Sequence, residues 1–142
     1  LATWRMGAIY QPLFTAFESK AIEHRVNTAQ TQFIVTNEEQ RPKLNGVAVP
    51  HILTVHQTQT LSYQDADFWT ELSQQSESFA PVMQTFEDDF LMMFTSGTTG
   101  LAKSVPVPLK AVLAFKGYMT HAVDLREEDS FWNLLWMGVH LV

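Results

Sequence analysis

The chain has 142 residues, enough for one hydrophobic core but too few for an elaborate two-domain enzyme. Hydrophobic residues make up 46% and charged residues 17%, which is typical of a folded globular domain and excludes a disordered segment. The formal charge is −6, and the nine Lys and Arg are scattered, which argues against nucleic-acid binding. The chain has no cysteine, which excludes disulfide scaffolds and thiolate metal sites.

Short runs rich in β-branched and aromatic residues predict five strands. In chain order they lie at 7–11, 32–36, 51–55, 89–95 and 104–107. The fourth run is apolar almost throughout, which is typical of a strand buried on both faces of a sheet. The fifth run is expected at a sheet edge, because Pro106 and Pro108 cannot donate ladder hydrogen bonds. The polar stretch 56–64 is expected to be a surface loop.

Amphipathic patterns predict three helices between these strands. Ser19 is expected to cap the first, over 20–29, whose apolar residues at one helical face are Ile22, Val26 and Ala29. Asp65 is expected to cap the second, whose large apolar side chains should dock on a sheet: Phe68, Trp69, Leu72 and Phe79. The third runs from about Leu109 to Val123. This alternation favours an α/β fold, with a mainly parallel sheet and flanking helices.

A loop of Thr, Ser and Gly with a lysine near its end separates the last two strands, in the stretch "FLMMFTSGTTGLAKSVPVPLK". Gly97 and Gly100 allow positive φ and expose N–H groups to anionic oxygens. Thr95, Ser96, Thr98 and Thr99 add hydroxyl donors, and Lys103 supplies a positive charge. The composition is typical of a loop that holds a phosphate chain.

The common phosphate-loop template G-x-x-x-x-G-K-[ST] fits this loop only in part. Lys103 and Ser104 match the template, but Ala102 stands where it requires its second glycine. The template also needs a helix beginning at the lysine, which Pro106 and Pro108 disfavour. A P-loop NTPase is therefore the less favoured alternative, and a non-catalytic α/β module that binds another anion stays open.

The segment "TSGTTGLAK" resembles the phosphate-binding signature of the AMP-forming adenylating enzymes, which include acyl-CoA synthetases, luciferases and peptide-synthetase adenylation domains. Their pattern is Ser/Thr-Ser-Gly-Thr-Thr-Gly-x-Pro-Lys-Gly, from which this sequence departs at Ala102 and Ser104. Residues 5–26 and "EDSFWN" at 128–133 are also similar to that family, nearest to its short- and medium-chain acyl-CoA synthetase branch.

The resemblance implies that residues 1–142 are a fragment of the family's large N-terminal AMP-binding domain, without the C-terminal domain. It implies a full-length enzyme that uses ATP with Mg²⁺ to turn a carboxylate into an acyl-adenylate, then passes the acyl group to coenzyme A. In this sequence the implied ATP-binding residues are Thr95, Ser96, Gly97, Thr98, Thr99, Gly100 and Lys103, with Lys103 also catalytic. The fragment alone is expected to be inactive.

Other candidate sites are weaker. The five histidines show no metal-ligand spacing, and His51 and His56 should point to opposite sides of a strand. The acidic run 87–89 is interpreted as the solvated entrance to a strand and not as a Mg²⁺ site. No metal site is therefore expected within the chain. With no signal peptide and no apolar run of ~20 residues, we expect a soluble, cytoplasmic protein.

The tail is unusual, because the resemblance stops after Asn133. Trp136-Met137-Gly138 must be encoded TGG-ATG-GGN, and the same bases read one position later give Gly-Trp, the pair that the resembled branch carries nearby. We therefore hypothesise that residues from about Leu135 onward are out of frame. An ordinary divergent tail is the alternative. The apolar, uncapped ends suggest a piece of a longer protein.

Overall fold

Helices and strands are interspersed along the chain in the computed structural model, which describes residues 1–55, 65–95 and 100–131. The helices are α1 (Ala2–Arg5), α2 (Ser19–Ala29), α3 (Phe68–Ser73) and α4 (Lys110–His121), and a 3₁₀ turn spans Arg41–Leu44. The strands are β1 (Phe33–Asn37), β2 (His51–Val55), β3 (Ala66–Asp67), β4 (Asp89–Thr95) and β5 (Lys103–Pro108). The predicted α/β class is confirmed. The loop expected at 56–64 lies outside the described residues.

Three of the strands form a parallel sheet in the order β1–β2–β3. β1 and β2 pair from Phe33 with His51 to Asn37 with Val55, and the short β3 pairs with the end of β2. The predicted strand at 51–55 is confirmed without change, and the one at 32–36 is shifted by one residue. The segment between β1 and β2, which includes the 3₁₀ turn, returns the chain to the same end of the sheet, so the two strands run parallel.

β4 and β5 form an antiparallel hairpin that pairs from Asp89 with Pro108 to Thr95 with Lys103, with a shift of register between Asp89 and Leu91. Tyr10 makes a single parallel bridge on the other side of β4, with its N–H 3.0 Å from the carbonyl oxygen of Phe90. The strand predicted at 7–11 is therefore wrong in extent. Gly7 has a positive φ of +72° and Pro12 has no N–H, so regular pairing cannot extend far from Tyr10.

The burial predicted for β4 is wrong. Every residue from Asp89 to Phe94 is half-buried and Thr95 is exposed. Few side chains in the described part of the chain cover the strand. Trp4 contacts it by an edge-on ring contact with Phe90 at 5.4 Å, and His24 lies edge-on to Phe94 at 6.4 Å. An apolar sequence indicates a strand suited to burial, but its actual burial depends on which other segments the fold places over it.

The first two predicted helix caps differ from the structure. Glu18 is the N-cap of α2, and Ser19 is its first helical residue without a capping hydrogen bond. Asp67 caps α3, accepting from the backbone N–H of Thr70 at 2.7 Å, whereas the carboxylate of Asp65 binds elsewhere. Asp65 and Asp67 are both possible N-caps of the same helix, and sequence spacing alone did not show which of them caps it.

Helix α3 is also shorter than predicted, and its side chains do not dock as expected. It ends at Ser73, so Phe79 lies outside it. Trp69 and Leu72 are 57% and 51% exposed. The apolar spacing fitted an amphipathic helix, but the described residues place no apolar layer over these two side chains.

The buried apolar core lies where α2 packs on the parallel sheet and on the 3₁₀ turn. Among the described residues its fully buried members are Ile22, Val26, Ile34 and Leu44. The periodicity of α2 predicted the first two of these. At such positions each side chain removed from water contributes about 1.5–3 kcal/mol to folding.

A buried ion pair closes this region at the end of β2. The guanidinium of Arg41 binds both carboxylate oxygens of Asp65, with Nη2 to Oδ1 at 2.8 Å. The hydroxyl of the fully buried Thr54 donates to the same carboxylate at 3.0 Å. Paired charges with several hydrogen bonds are the form in which ions are tolerated inside proteins.

Helix α4 follows β5, close to the predicted range, and is mostly exposed. Its large exposed side chains are Val112, Leu113, Phe115 and Tyr118. Over residues 1–55, 65–95 and 100–131, no helix has the length and apolar character needed to cross a membrane.

Candidate functional site

The predicted phosphate loop connects the two strands of the β4–β5 hairpin. Thr95 ends β4, Lys103 begins β5, and the two residues pair with each other, both exposed to solvent. Gly100 has a φ of +109°, a conformation that favours glycine, as the sequence predicted. Ser96, Gly97, Thr98 and Thr99 lie outside the described residues, so their proposed contacts stay predictions.

The backbone on the C-terminal side of this loop is a strand. β5 begins at Lys103 itself and continues through Pro106 and Pro108, and the next helix begins only at Lys110. The prediction that a strand and not a helix begins at the lysine is confirmed. The P-loop NTPase alternative required a helix at this point, so the structure argues against it.

Helix α2 contacts both sides of the hairpin at its loop end. Nε2 of His24 lies 2.8 Å from the carbonyl oxygen of Ala102, the residue directly before Lys103. The guanidinium carbon of Arg25 lies 4.0 Å from the ring centre of Phe17 and 5.5 Å from that of Phe94. Cations prefer the faces of aromatic rings, so these contacts hold α2 against β4.

Arg25 places a positive charge beside the hairpin. Its Nη1 donates to the carbonyl of Ala21 at 2.9 Å, while its buried Nε has no partner among the described residues. Loss of solvent around the guanidinium lowers the pKa of Arg25. Arginine nevertheless stays protonated at neutral pH, because its ordinary pKa is so high. The sequence reasoning missed both His24 and Arg25, since no motif or spacing distinguishes them from other polar residues of α2.

The acidic run 87–89 is used for local structure. Glu87 pairs with Lys110 on the surface, and Asp88 accepts from the backbone N–H of Thr85 at 2.6 Å and from its hydroxyl at 3.0 Å. Within the described ranges, no three His, Asp or Glu side chains come together as a possible metal site. His51 stacks on Phe33, with ring centres 4.6 Å apart.

A cavity of about 400 Å³ lies beside β1 and the 3₁₀ turn, away from the predicted loop residues. Its lining is mostly apolar, from residues such as Leu13, Ile22 and Leu44, with Lys43 at its edge. Nζ of Lys43 is hydrogen-bonded to the carbonyl of Thr15. None of the sequence-predicted site residues lines it.

The chain combines an α/β fold with a glycine- and threonine-rich segment between β4 and β5. The family model "AMP-binding enzyme" matches residues 1–140, and the chain belongs to this family. It is 26% identical to the acetyl-coenzyme A synthetase of Helicobacter pylori (strain G27), over 99% of this chain and 25% of that protein. It is 28% identical to the acetyl-coenzyme A synthetase of Bacillus subtilis (strain 168), over 93% of this chain and 24% of the relative.

Solved structures agree with this assignment. The acyl-CoA synthetase of Brucella canis matches with a TM-score of 0.84 and 47% identity, over 93% of this chain and 24% of that one. An anthranilate CoA ligase crystallised with anthranoyl-AMP matches with a TM-score of 0.73, over 82% of this chain and 23% of that one. Its sequence identity is 18%, so this match shows a similarity of fold alone. The chain spans about a quarter of the length of the curated relatives described above.

Proposed function

We propose that the full-length protein containing this chain is an AMP-forming acid–thiol ligase, an acyl-CoA synthetase, and that residues 95–104 bind the phosphates of ATP. The observation that supports this most is the pairing of Thr95 with Lys103 at the base of the hairpin, in a chain of the AMP-binding enzyme family. The similarity to acetyl-coenzyme A synthetases favours a short- or medium-chain carboxylate as substrate.

The proposed reaction has two steps. First, a carboxylate oxygen bonds to the α-phosphorus of ATP while the bond from that phosphorus to the β-phosphate oxygen breaks, releasing pyrophosphate. Second, the thiol of coenzyme A bonds to the acyl carbon, AMP leaves with the oxygen, and the thiol proton passes to solvent. A carboxylate is already ionised at neutral pH, so the first step needs no general base.

Lys103 is the proposed catalytic residue of the first step. Negative charge builds on the departing pyrophosphate, and an ammonium at the rim of the loop stabilises it. Its exposure at the start of β5 leaves the amine free to reach a bound phosphate. Thr95, Ser96, Gly97, Thr98, Thr99 and Gly100 would add hydroxyl and backbone N–H donors to the same phosphates.

Mg²⁺ is expected to enter with ATP, held by the phosphates. Among the described residues, no three His, Asp or Glu side chains come together around a possible ion site. The alternative function, non-catalytic anion binding by the same loop, predicts phosphate affinity without turnover.

The test is carboxylate-dependent exchange of labelled pyrophosphate into ATP by the full-length protein, with Lys103→Ala as variant. We expect the exchange rate to fall roughly ten- to a thousandfold, the range lost with single transition-state donors. Thioester formation from preformed acyl-adenylate should change much less, because pyrophosphate has already left.

Lys110→Ala is the matched control, since this lysine pairs with Glu87 away from the loop and should be dispensable for exchange. Equal damage to both half-reactions in Lys103→Ala would contradict the role of the lysine. Absence of exchange in the wild-type protein with all short- and medium-chain acids would favour the anion-binding alternative.

A further inference from the structure

His24 makes a long-range contact with the backbone beside Lys103. The two partners, Nε2 of His24 and the carbonyl oxygen of Ala102, are 2.8 Å apart and 78 positions apart in the chain. A carbonyl oxygen only accepts hydrogen bonds, so Nε2 carries the proton and donates it. The bond holds the peptide group between Ala102 and Lys103, which determines where the lysine leaves the backbone.

The same turn of α2 also holds the opposite strand of the hairpin. The ring of His24 lies edge-on to Phe94 at an interplanar angle of 73°, and Phe94 pairs with Ser104 in the ladder. The guanidinium of the next residue, Arg25, lies over the same phenylalanine ring. Two consecutive helical residues therefore contact both strands at the end where the loop begins.

Helix α2 is well placed to act as a fixed support. Ile22 and Val26, on either side of His24, are only 5% and 1% exposed and belong to the buried core. A side chain on a helix anchored in this way moves little, so it can restrict the backbone that it contacts. The side chain of Lys103 is exposed at the first position of β5, so its direction depends on how the backbone at this point is held.

We propose that His24 is a positioning residue for Lys103, acting through the carbonyl of Ala102 to aim the ammonium at the phosphates of ATP. The proposal rests on the proposed function. Catalysis by a placed charge depends strongly on geometry, and a misplacement of about 1 Å can cost a large factor in rate. In this proposal His24 acts through the carbonyl of Ala102 and not by contact with the reacting atoms.

The test uses the full-length enzyme with His24→Phe, which keeps a flat ring beside Phe94 and removes the donor. We expect kcat/KM for ATP in pyrophosphate exchange to fall roughly 3- to 10-fold, the equivalent of one lost hydrogen bond. Thioester formation from preformed acyl-adenylate should change less than about twofold, because the transition state of that step has no departing pyrophosphate.

Two further variants define the chemistry. His24→Gln retains an N–H donor of similar reach and should restore most of the exchange activity, whereas His24→Leu lacks a donor and should match His24→Phe. His51→Gln is the matched control, because His51 stacks on Phe33 in the parallel sheet and should leave exchange unchanged.

A double-mutant cycle separates positioning from a merely structural role. If His24 acts through Lys103, His24→Phe should cause little further loss of exchange in the Lys103→Ala background. The same fold loss in both backgrounds would overturn the proposal, as would equal impairment of His24→Gln and His24→Phe, or equal damage to both half-reactions. Absence of pyrophosphate exchange in the wild-type enzyme would overturn the proposed function itself. If the wild type is active and His24→Phe and His24→Leu exchange pyrophosphate as fast as it does, only this inference is overturned.

Discussion

The core around α2 and the β4–β5 hairpin differ in how far their side chains are buried. In the core, Ile22, Val26 and Ile34 are buried and the Arg41–Asp65 pair is sealed by hydrogen bonds. In the hairpin, the side chains of β4 are half-buried, and the two residues at the loop, Thr95 and Lys103, are exposed. Changes in the core should therefore reduce stability, and changes at the hairpin loop should reduce function.

The largest expected effect concerns the isolated 142-residue chain. Among the described residues its buried apolar core is small, while large side chains such as Phe86, Phe115 and Tyr118 are 65%, 63% and 59% exposed. We expect thermal unfolding without a single sharp transition and a tendency to associate. Calorimetry with light scattering measures both. A cooperative transition of a monomer would show that the core is sufficient by itself.

Asp65→Ala should cause the largest loss of stability among single substitutions in the full-length protein. Removing the carboxylate leaves the buried charge of Arg41 without its main partner, which typically costs about 3–5 kcal/mol. The midpoint of urea unfolding measures the loss. Glu87→Ala breaks the exposed pair with Lys110 and is the matched control, expected to cost about 0–1 kcal/mol. Similar losses of stability in Asp65→Ala and Glu87→Ala would contradict the expected difference between a buried and an exposed ion pair.

Val26→Ala should cost about 1.5–3 kcal/mol, since it removes the two γ-methyl groups of a fully buried valine. Val112→Ala, on the same type of element but 47% exposed, should be close to neutral. The pyrophosphate exchange rate of Val26→Ala at a temperature where it stays folded should remain near that of the wild type. A large loss of exchange in folded Val26→Ala would mean that the core and the loop are not separable.

Ser104→Gly should have the smallest effect. The residue lies within β5, opposite Phe94, and a glycine inside a strand costs roughly 0.5–1 kcal/mol relative to alanine. The resembled signature carries glycine here, so we expect exchange to persist at a similar rate. Ser104→Ala is the comparison variant, because it removes the hydroxyl without adding the backbone freedom of glycine. A loss of stability as large as that of Val26→Ala would mean that the hairpin and the buried core unfold together as one cooperative unit.

Local features of the sequence determined much of this structure. Two prolines after Lys103 determined that a strand and not a helix follows the loop, because proline restricts the backbone and removes donors over short distances. The apolar spacing of α2 identified Ile22 and Val26 as its buried residues. The order of the loop residues indicated the family that the match over residues 1–140 confirms.

Only the tertiary structure decided which partners distant residues take. It directed Asp65 to Arg41 and left the cap of α3 to Asp67, and it placed His24 on Ala102 across 78 positions. It also left β4 half-buried, although its sequence suited full burial. Turns and periodicity depend on neighbours in the chain, whereas burial, ion pairing and the choice between two possible caps depend on which other segments the fold brings into contact.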